Sequence, residues 1–328
     1  MSKMSTDLIR HALNGPTMGT RWSALFFSKP GIDVEPVRHA LQAAVTEVDD
    51  QMSTWNPHSD LMRINRLPPG DWISAPARLV EVLRLGLAIG QASGGAFEVC
   101  MGDAVAAWGF GPQAPAGERI RHALAAPRRP GWEILDVEDG RLRKRGAVLL
   151  DLNGIAKGYG TDRLSAVLVT FGITSFLVGI DGEMRAAGLR PDGTPWSIAV
   201  EQPDHARRAV HSMLTLSDAA VATSGDYRHW INAGHARLSH TMDPARGAPV
   251  ISGPASVTVV AASCAEADAW ATALLVLGPE CGSMVLQRNG LEALFLLRGT
   301  TGEITSRKTG RLFESGASAP AAPWSTGV

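Results

Sequence analysis

Cysteine, tyrosine and net charge are all scarce in this 328-residue sequence, and each shortage closes off a class of protein. Cys100, Cys264 and Cys281 are odd in number, scattered and without CxxC spacing. Neither a disulfide framework nor a zinc site is expected, and all three read as small buried side chains. A formal net charge of −1 leaves no basic excess for nucleic acid or an anionic membrane. No apolar run reaches the roughly 18–20 residues of a membrane span. The opening MSKMSTDLIRHALNG has no continuous apolar h-region and no A-x-A-like cleavage site. The expectation is a cytoplasmic protein, or a periplasmic one if its N-terminus has been trimmed.

What is present is ordinary globular composition, 45% hydrophobic and 19% charged, long enough to bury a large core. A strand is expected over residues 20–27 and a helix over 35–52, where Val37, Leu41, Val45 and Val48 recur at spacings of three and four. Ser59 or Asp60 starts a short helix, and residues 77–94 form an amphipathic one closed by Gly94. Asp139-Gly140 marks a hairpin. A helix follows Asn153, strands are expected at TSFLVGI, GEMRAAG, SIAVEQ and ASVTVVAAS, and a helix at EADAWATALLVLG precedes a last hairpin. Strands fall in hairpins as often as between helices, so the fold class is α+β rather than a doubly wound parallel sheet. Residues 1–13 read as an N-terminal extension, 14–315 as the folded domain and 316–328 as a disordered, Pro-rich tail.

Three short constellations carry chemistry. In LLDLNGIAKGYG, residues 149–160, Asn153 is a good N-cap, which leaves free N–H groups in the first helical turn. Those groups, with Gly154 and Lys157, suit a phosphate, although Lys157 follows Gly154 too soon for a Walker loop. The competing reading is an ordinary strand-to-helix corner with a solvated lysine. In AEADAWATA, residues 265–273, Asp268 and Thr272 are i and i+4 and share one helix face, an oxygen pair suited to Mg²⁺. The alternative is an acid interacting with the helix dipole. In HTMDPARG, residues 240–247, Asp-Pro-x-x-Gly is turn chemistry, and His240 beside it can act as a base near neutral pH or simply sit on the surface. Met18 in GPTMGT and Trp55 in MSTWNPHSD offer surfaces for a flat ring, or core packing.

Together with GAFEV at 95–99 and TSGDY at 223–227, these segments stand in the order found in the ApbE family of FAD:protein FMN transferases, which the chain resembles over about residues 15–300. The resemblance implies an α+β, T-fold-like architecture, with mixed and antiparallel sheets and packed helices, in one large domain or two closely packed halves. It implies FAD contacts at Met18, Trp55, Ala96, Phe97, Glu98, Asn153, Lys157, Tyr159 and Met242. It implies Mg²⁺ held by the Ala156 carbonyl, Asp268 and Thr272. The implied reaction transfers FMN from FAD to a Thr or Ser of an acceptor flavoprotein and releases AMP. His240 is the expected base with Asp243 orienting the loop, and Asp243 is the alternative base. Trp55 stands where the family often has tyrosine, Glu98 where it has aspartate, Asn153 where it has glycine, and GIDGEM departs from its usual paired glycines. Two other functions fit the same residues: a Mg²⁺-dependent FAD pyrophosphatase, and a carrier that binds FAD without chemistry.

Overall fold

The structure, a computed structural model, describes residues 8–204, 207–227, 230–233, 236–310 and 313. Its frame is an eight-stranded sheet in the order β1 (Ile9–Thr17), β2 (Thr20–Ser28), β6 (Phe176–Ile180), β7 (Glu183–Ala187), β10 (Ala219–Gly225), β15 (Ser256–Ala261), β16 (Glu292–Arg298) and β17 (Ile304–Thr309). A small sheet joins β3 (Trp72–Ser74), β5 (Arg141–Lys144) and β4 (Leu135–Glu138). Three ribbons pair β8 (Trp196–Glu201) with β9 (Val210–Leu216), β11 (Trp230–Ala233) with β12 (Ala236–Ser239), and β13 (Met242–Asp243) with β14 (Ala248–Pro249). The helices are α1 (Val34–Met52), α2 (Asp60–Arg66), α3 (Ala77–Ala92), α4 (Gly102–Ala107), α5 (Gly117–Ala125), α6 (Gly131–Ile134), α7 (Ala156–Thr170) and α8 (Cys264–Asn289). The α+β class stands. Every strand pair among the described residues is antiparallel, so the mixed pairing allowed for does not occur there.

Side-chain alternation explains the layers. On β2, Trp22, Ala24 and Phe26 face α1 and α7, where they meet Val37, Leu41, Val45, Leu164 and Leu168. Leu25 and Phe27 point the other way and pack with Trp196, Ile198, Leu214 and Leu216 of the β8–β9 ribbon. The sheet thus has helices on one face and a ribbon on the other. All six residues of β15 are buried, as befits a strand covered on both faces.

Several boundaries differ from the sequence reading. β1 begins at Ile9 and pairs with β2 along its whole length, so part of the segment read as an extension belongs to the sheet. Cys100 and Cys264 are buried as expected, but Cys281 is exposed. The helix expected over 266–278 does stop at Gly278, whose φ 70° and ψ 176° are not helical, and Pro279 starts a second helical stretch that carries α8 on to Asn289. By length and composition α8 is apolar enough to cross a membrane; here it packs on β10 and β15 with Leu274 and Leu275 buried. The tail at 316–328 lies outside the described residues.

Candidate active site

The 149–160 corner is built differently from the simple strand-to-helix step its sequence suggests. Leu149 and Leu150 form no ladder strand. Gly102 N–H donates to the Leu149 carbonyl at 2.9 Å, and Asp151 N–H to that of Val99 at 2.8 Å. The Asn65 side chain grips Leu150 in both senses, its amide donating to the carbonyl at 2.9 Å and its oxygen accepting the N–H at 2.7 Å. Asn153 is not the N-cap. Asp151 accepts both its N–H, at 3.0 Å, and its side-chain amide, at 2.9 Å, and Ile155 takes the cap position without a side-chain bond. Burial raises the Asp151 carboxyl to about 6, against the lowering effect of the Asn153 N–H.

Two of the first-turn N–H groups of α7 already have protein acceptors. Ala156 N–H bonds to Leu152, and Gly158 N–H donates to Asp268 Oδ2 at 2.9 Å. The positive end of α7 therefore faces a protein carboxylate. This is possible because the starts of α7 and α8 touch. A Cβ on Gly158 would overlap the Cys264 carbonyl oxygen and lie 2.8 Å from Asp268 Cβ. Asp162, one turn on, accepts N–H bonds from Cys264 and Ala265, both at 2.9 Å, and pairs with Arg185. Ser263 and Glu266 close a capping box at the same end of α8.

Asp268 is 4% exposed. Burial, with the nearby carboxylates of Glu183 and Asp162, raises its carboxyl to about 7; the Lys157 ammonium and the Gly158 N–H work the other way. One turn along α8, Thr272 Oγ1 lies 3.2 Å from Ser224 Oγ and close to Gly154, where a Cβ would come within 3.1 Å. Asp268 and Thr272 thus both face the 154–158 corner, which begins α7 at Ala156. Lys157 donates to Glu183 Oε1 at 2.8 Å and lies 3.7 Å from Asp181. Burial opposes its charge, but Glu183, Asp268 and Asp181 outweigh it and hold the ammonium above its ordinary range. Asp181 itself sits at φ 56°, unusual for a residue with a side chain.

The residues expected around a flavin divide into two groups. Phe97 and Met18 reach the corner: a Cβ on Gly154 would be 3.2 Å from the Phe97 ring, and one on Gly160 3.2 Å from Met18 Cε. Met18, at φ 46°, and Gly19, at φ 69°, make the two-residue turn that joins β1 to β2. Ala96 is buried beside Phe97, and Asn153 is exposed. Trp55 is 61% exposed, on a turn whose N–H groups at Trp55 and Asn56 are both held by Ser53 Oγ. Glu98 and Tyr159 have structural partners instead. Glu98 accepts the N–H groups of Cys100, at 2.9 Å, and Gly131, at 2.8 Å. Tyr159 is buried and its hydroxyl donates to Glu81 at 2.6 Å.

His240 and its neighbours form a second cluster. The His240 ring meets Phe110 edge-on, centroids 6.4 Å apart, and Met242 is buried with Met101 and Ala104. Asp243 Oδ1 accepts the Ala245 N–H at 3.0 Å, and its carbonyl accepts that of Gly247 at 2.9 Å. This is the Asp-Pro turn the sequence predicts. Sequence reasoning missed Glu183, Asp181, Ser224 and Asp162. TSGDY and GIDGEM were visible as segments, but nothing in them says which side chain turns inward.

The α+β frame is shared with solved flavin transferases. The chain superimposes on the flavin transferase ApbE from Vibrio cholerae with a TM-score of 0.81 and 33% identity, covering 92% of this chain and 97% of that one. The apo flavinyl transferase ApbE of Pseudomonas stutzeri gives a TM-score of 0.81 and 36% identity over 92% and 95%. The curated FAD:protein FMN transferase of Vibrio cholerae serotype O1 is 36% identical over 297 residues, 88% of each chain. The sequence pattern of the ApbE family matches residues 18–295, and the chain belongs to that family.

Proposed function

We propose that this protein is an FAD:protein FMN transferase, which moves the FMN part of FAD onto a Ser or Thr hydroxyl of an acceptor protein and releases AMP. The observation that carries the reading is the setting of Asp268. Its Oδ2 takes the Gly158 N–H, and among the described residues its other oxygen receives no hydrogen bond. A buried carboxylate with an oxygen to spare, next to the hydroxyls of Thr272 and Ser224, is a donor set for a hard cation. Among the described residues no three His, Cys, Asp or Glu side chains gather to hold a metal by themselves. Mg²⁺ takes one or two carboxylates and fills its remaining positions with waters and substrate phosphates.

Asp268, Thr272 and the Ala156 carbonyl are the residues that would hold Mg²⁺. When bound, Mg²⁺ would neutralise charge on the FAD pyrophosphate. Lys157 sits on the first turn of α7 beside this set, its ammonium ion-paired with Glu183. Gly154 lies close against Thr272 and Phe97, which leave little room for a side chain there and bring the corner's backbone up to the Thr272 hydroxyl. Trp55 presents an exposed indole for a ring. The acceptor oxygen bonds to the FMN-side phosphorus, the bond to the bridging oxygen breaks, and AMP carries that oxygen away. His240 takes the hydroxyl proton. Asp243 shapes the loop, a role its own turn hydrogen bond supports. Incubation with FAD, Mg²⁺ and an acceptor flavoprotein tests the reading. Covalent FMN supports it, free FMN with AMP indicates a pyrophosphatase, and unchanged FAD a carrier.

A further inference from the structure

We infer that Glu183 is a positioning residue, which holds the Lys157 ammonium against the β6–β7 turn and so keeps one oxygen of Asp268 open for a cation. The inference rests on the reading of Asp268 as a cation ligand. Lys157 and Gly158 are neighbours on the first turn of α7, and Asp268 is already bonded to the Gly158 N–H. The lysine arm starts next to the carboxylate and carries its natural counter-charge. Yet its short contact is with Glu183, at 2.8 Å, and its longer one with Asp181, at 3.7 Å.

Glu183 is built for this hold. Its side chain is 4% exposed, at the first residue of β7. Oε1 takes the ammonium, Oε2 accepts the Gly182 N–H at 3.2 Å, and the backbone carbonyl accepts the Thr161 hydroxyl of α7 at 3.3 Å. The strand end is thus tied to the helix that carries Lys157. A buried carboxylate so committed is a poor metal ligand but a good anchor for one cation. Were it absent, the lysine would keep only the partly exposed Asp181 at 3.7 Å, Asp162 being paired with Arg185. It would turn to the buried carboxylate of Asp268 and occupy the oxygen that Mg²⁺ needs. A role through Lys157 differs from simple charge attraction, because it requires the lysine to be present.

A double-mutant cycle separates the two. Mg²⁺ is titrated by calorimetry into the full-length protein, with and without FAD, and the Mg²⁺ dependence of AMP release is measured in parallel. Glu183→Gln should weaken Mg²⁺ binding about 10–100-fold, with AMP release recovering at saturating Mg²⁺. In a Lys157→Gln background the same substitution should change binding by less than about threefold. Glu183→Asp keeps the charge but shortens the arm, and should also weaken binding; it replaces Glu183→Gln if the latter does not unfold cooperatively. An equal loss with and without the lysine would show that Glu183 acts by its own charge, and would overturn the inference. So would a Glu183→Gln protein that binds Mg²⁺ like wild type. A wild-type protein that binds no Mg²⁺ at millimolar concentration, with or without FAD, would instead remove the cation reading of Asp268 and the inference with it.

Discussion

Gly158 and Asp268 are joined by a backbone-to-carboxylate hydrogen bond of 2.9 Å, made where the starts of α7 and α8 touch. The contact exists because residue 158 has no side chain. Gly158→Ala should force the two helices apart, costing about 1–3 kcal/mol of stability and sharply reducing AMP release. Chemical denaturation and an AMP assay check both. A variant as stable and active as wild type would mean that the helix starts do not need this approach.

Asp268 gives the pH prediction. Its carboxyl stands at about 7 in the folded protein, against an ordinary 3.8. The folded state therefore keeps a proton that the unfolded state releases, and the stability this contributes is full below the ordinary value and lost as pH rises through 7. In metal-free protein, Asp268→Asn should escape that loss. The gain in melting temperature over wild type should grow from about pH 4 to about pH 7 and then level off. A gain that shrinks over this range would reverse the assigned electrostatics. Added Mg²⁺ should stabilise wild type, and more so at alkaline pH, while leaving Asp268→Asn nearly unmoved.

How far this corner could be read from sequence follows from the separation of its parts. Asp268 and Thr272 were legible because helical spacing alone puts i and i+4 on one face. Asn153 was misread because Asp151, two residues earlier, captures both its N–H and its amide. A cap preference does not reveal which neighbour competes. Glu183 and Asn65 were not legible: their partners Lys157 and Leu150 lie 26 and 85 residues away and meet them only through the fold. Hairpins signalled by Asp-Gly, and helices with a strong apolar period such as α1, were correctly placed. The two-residue strands β13 and β14 carry no period to detect, although the Asp-Pro turn between them was visible.

Trp55 separates binding from folding. An indole 61% exposed contributes little to the core, so Trp55→Ala should leave the melting temperature almost unchanged. FAD affinity should fall by about 1–3 kcal/mol if the indole stacks on a ring. Fluorescence titration of FAD measures this, and an unchanged dissociation constant would remove Trp55 from the site.

His240 and Asp243 predict different pH–rate profiles. His240→Ala should lower FMN transfer about 10²–10⁴-fold, leave FAD affinity close to wild type and abolish the ascending limb near neutral pH. Asp243→Asn loses the charge but keeps an oxygen for the Ala245 N–H, so the limb should persist. The opposite pattern would move the base from His240 to Asp243.

The most direct measurement is the intact mass of an acceptor flavoprotein after incubation with this protein, FAD and Mg²⁺. The account predicts an acceptor heavier by one FMN joined through a phosphoester, one AMP released for each, and neither product with Asp268→Ala or with chelator. An acceptor of unchanged mass, with AMP and free FMN accumulating together, would contradict it.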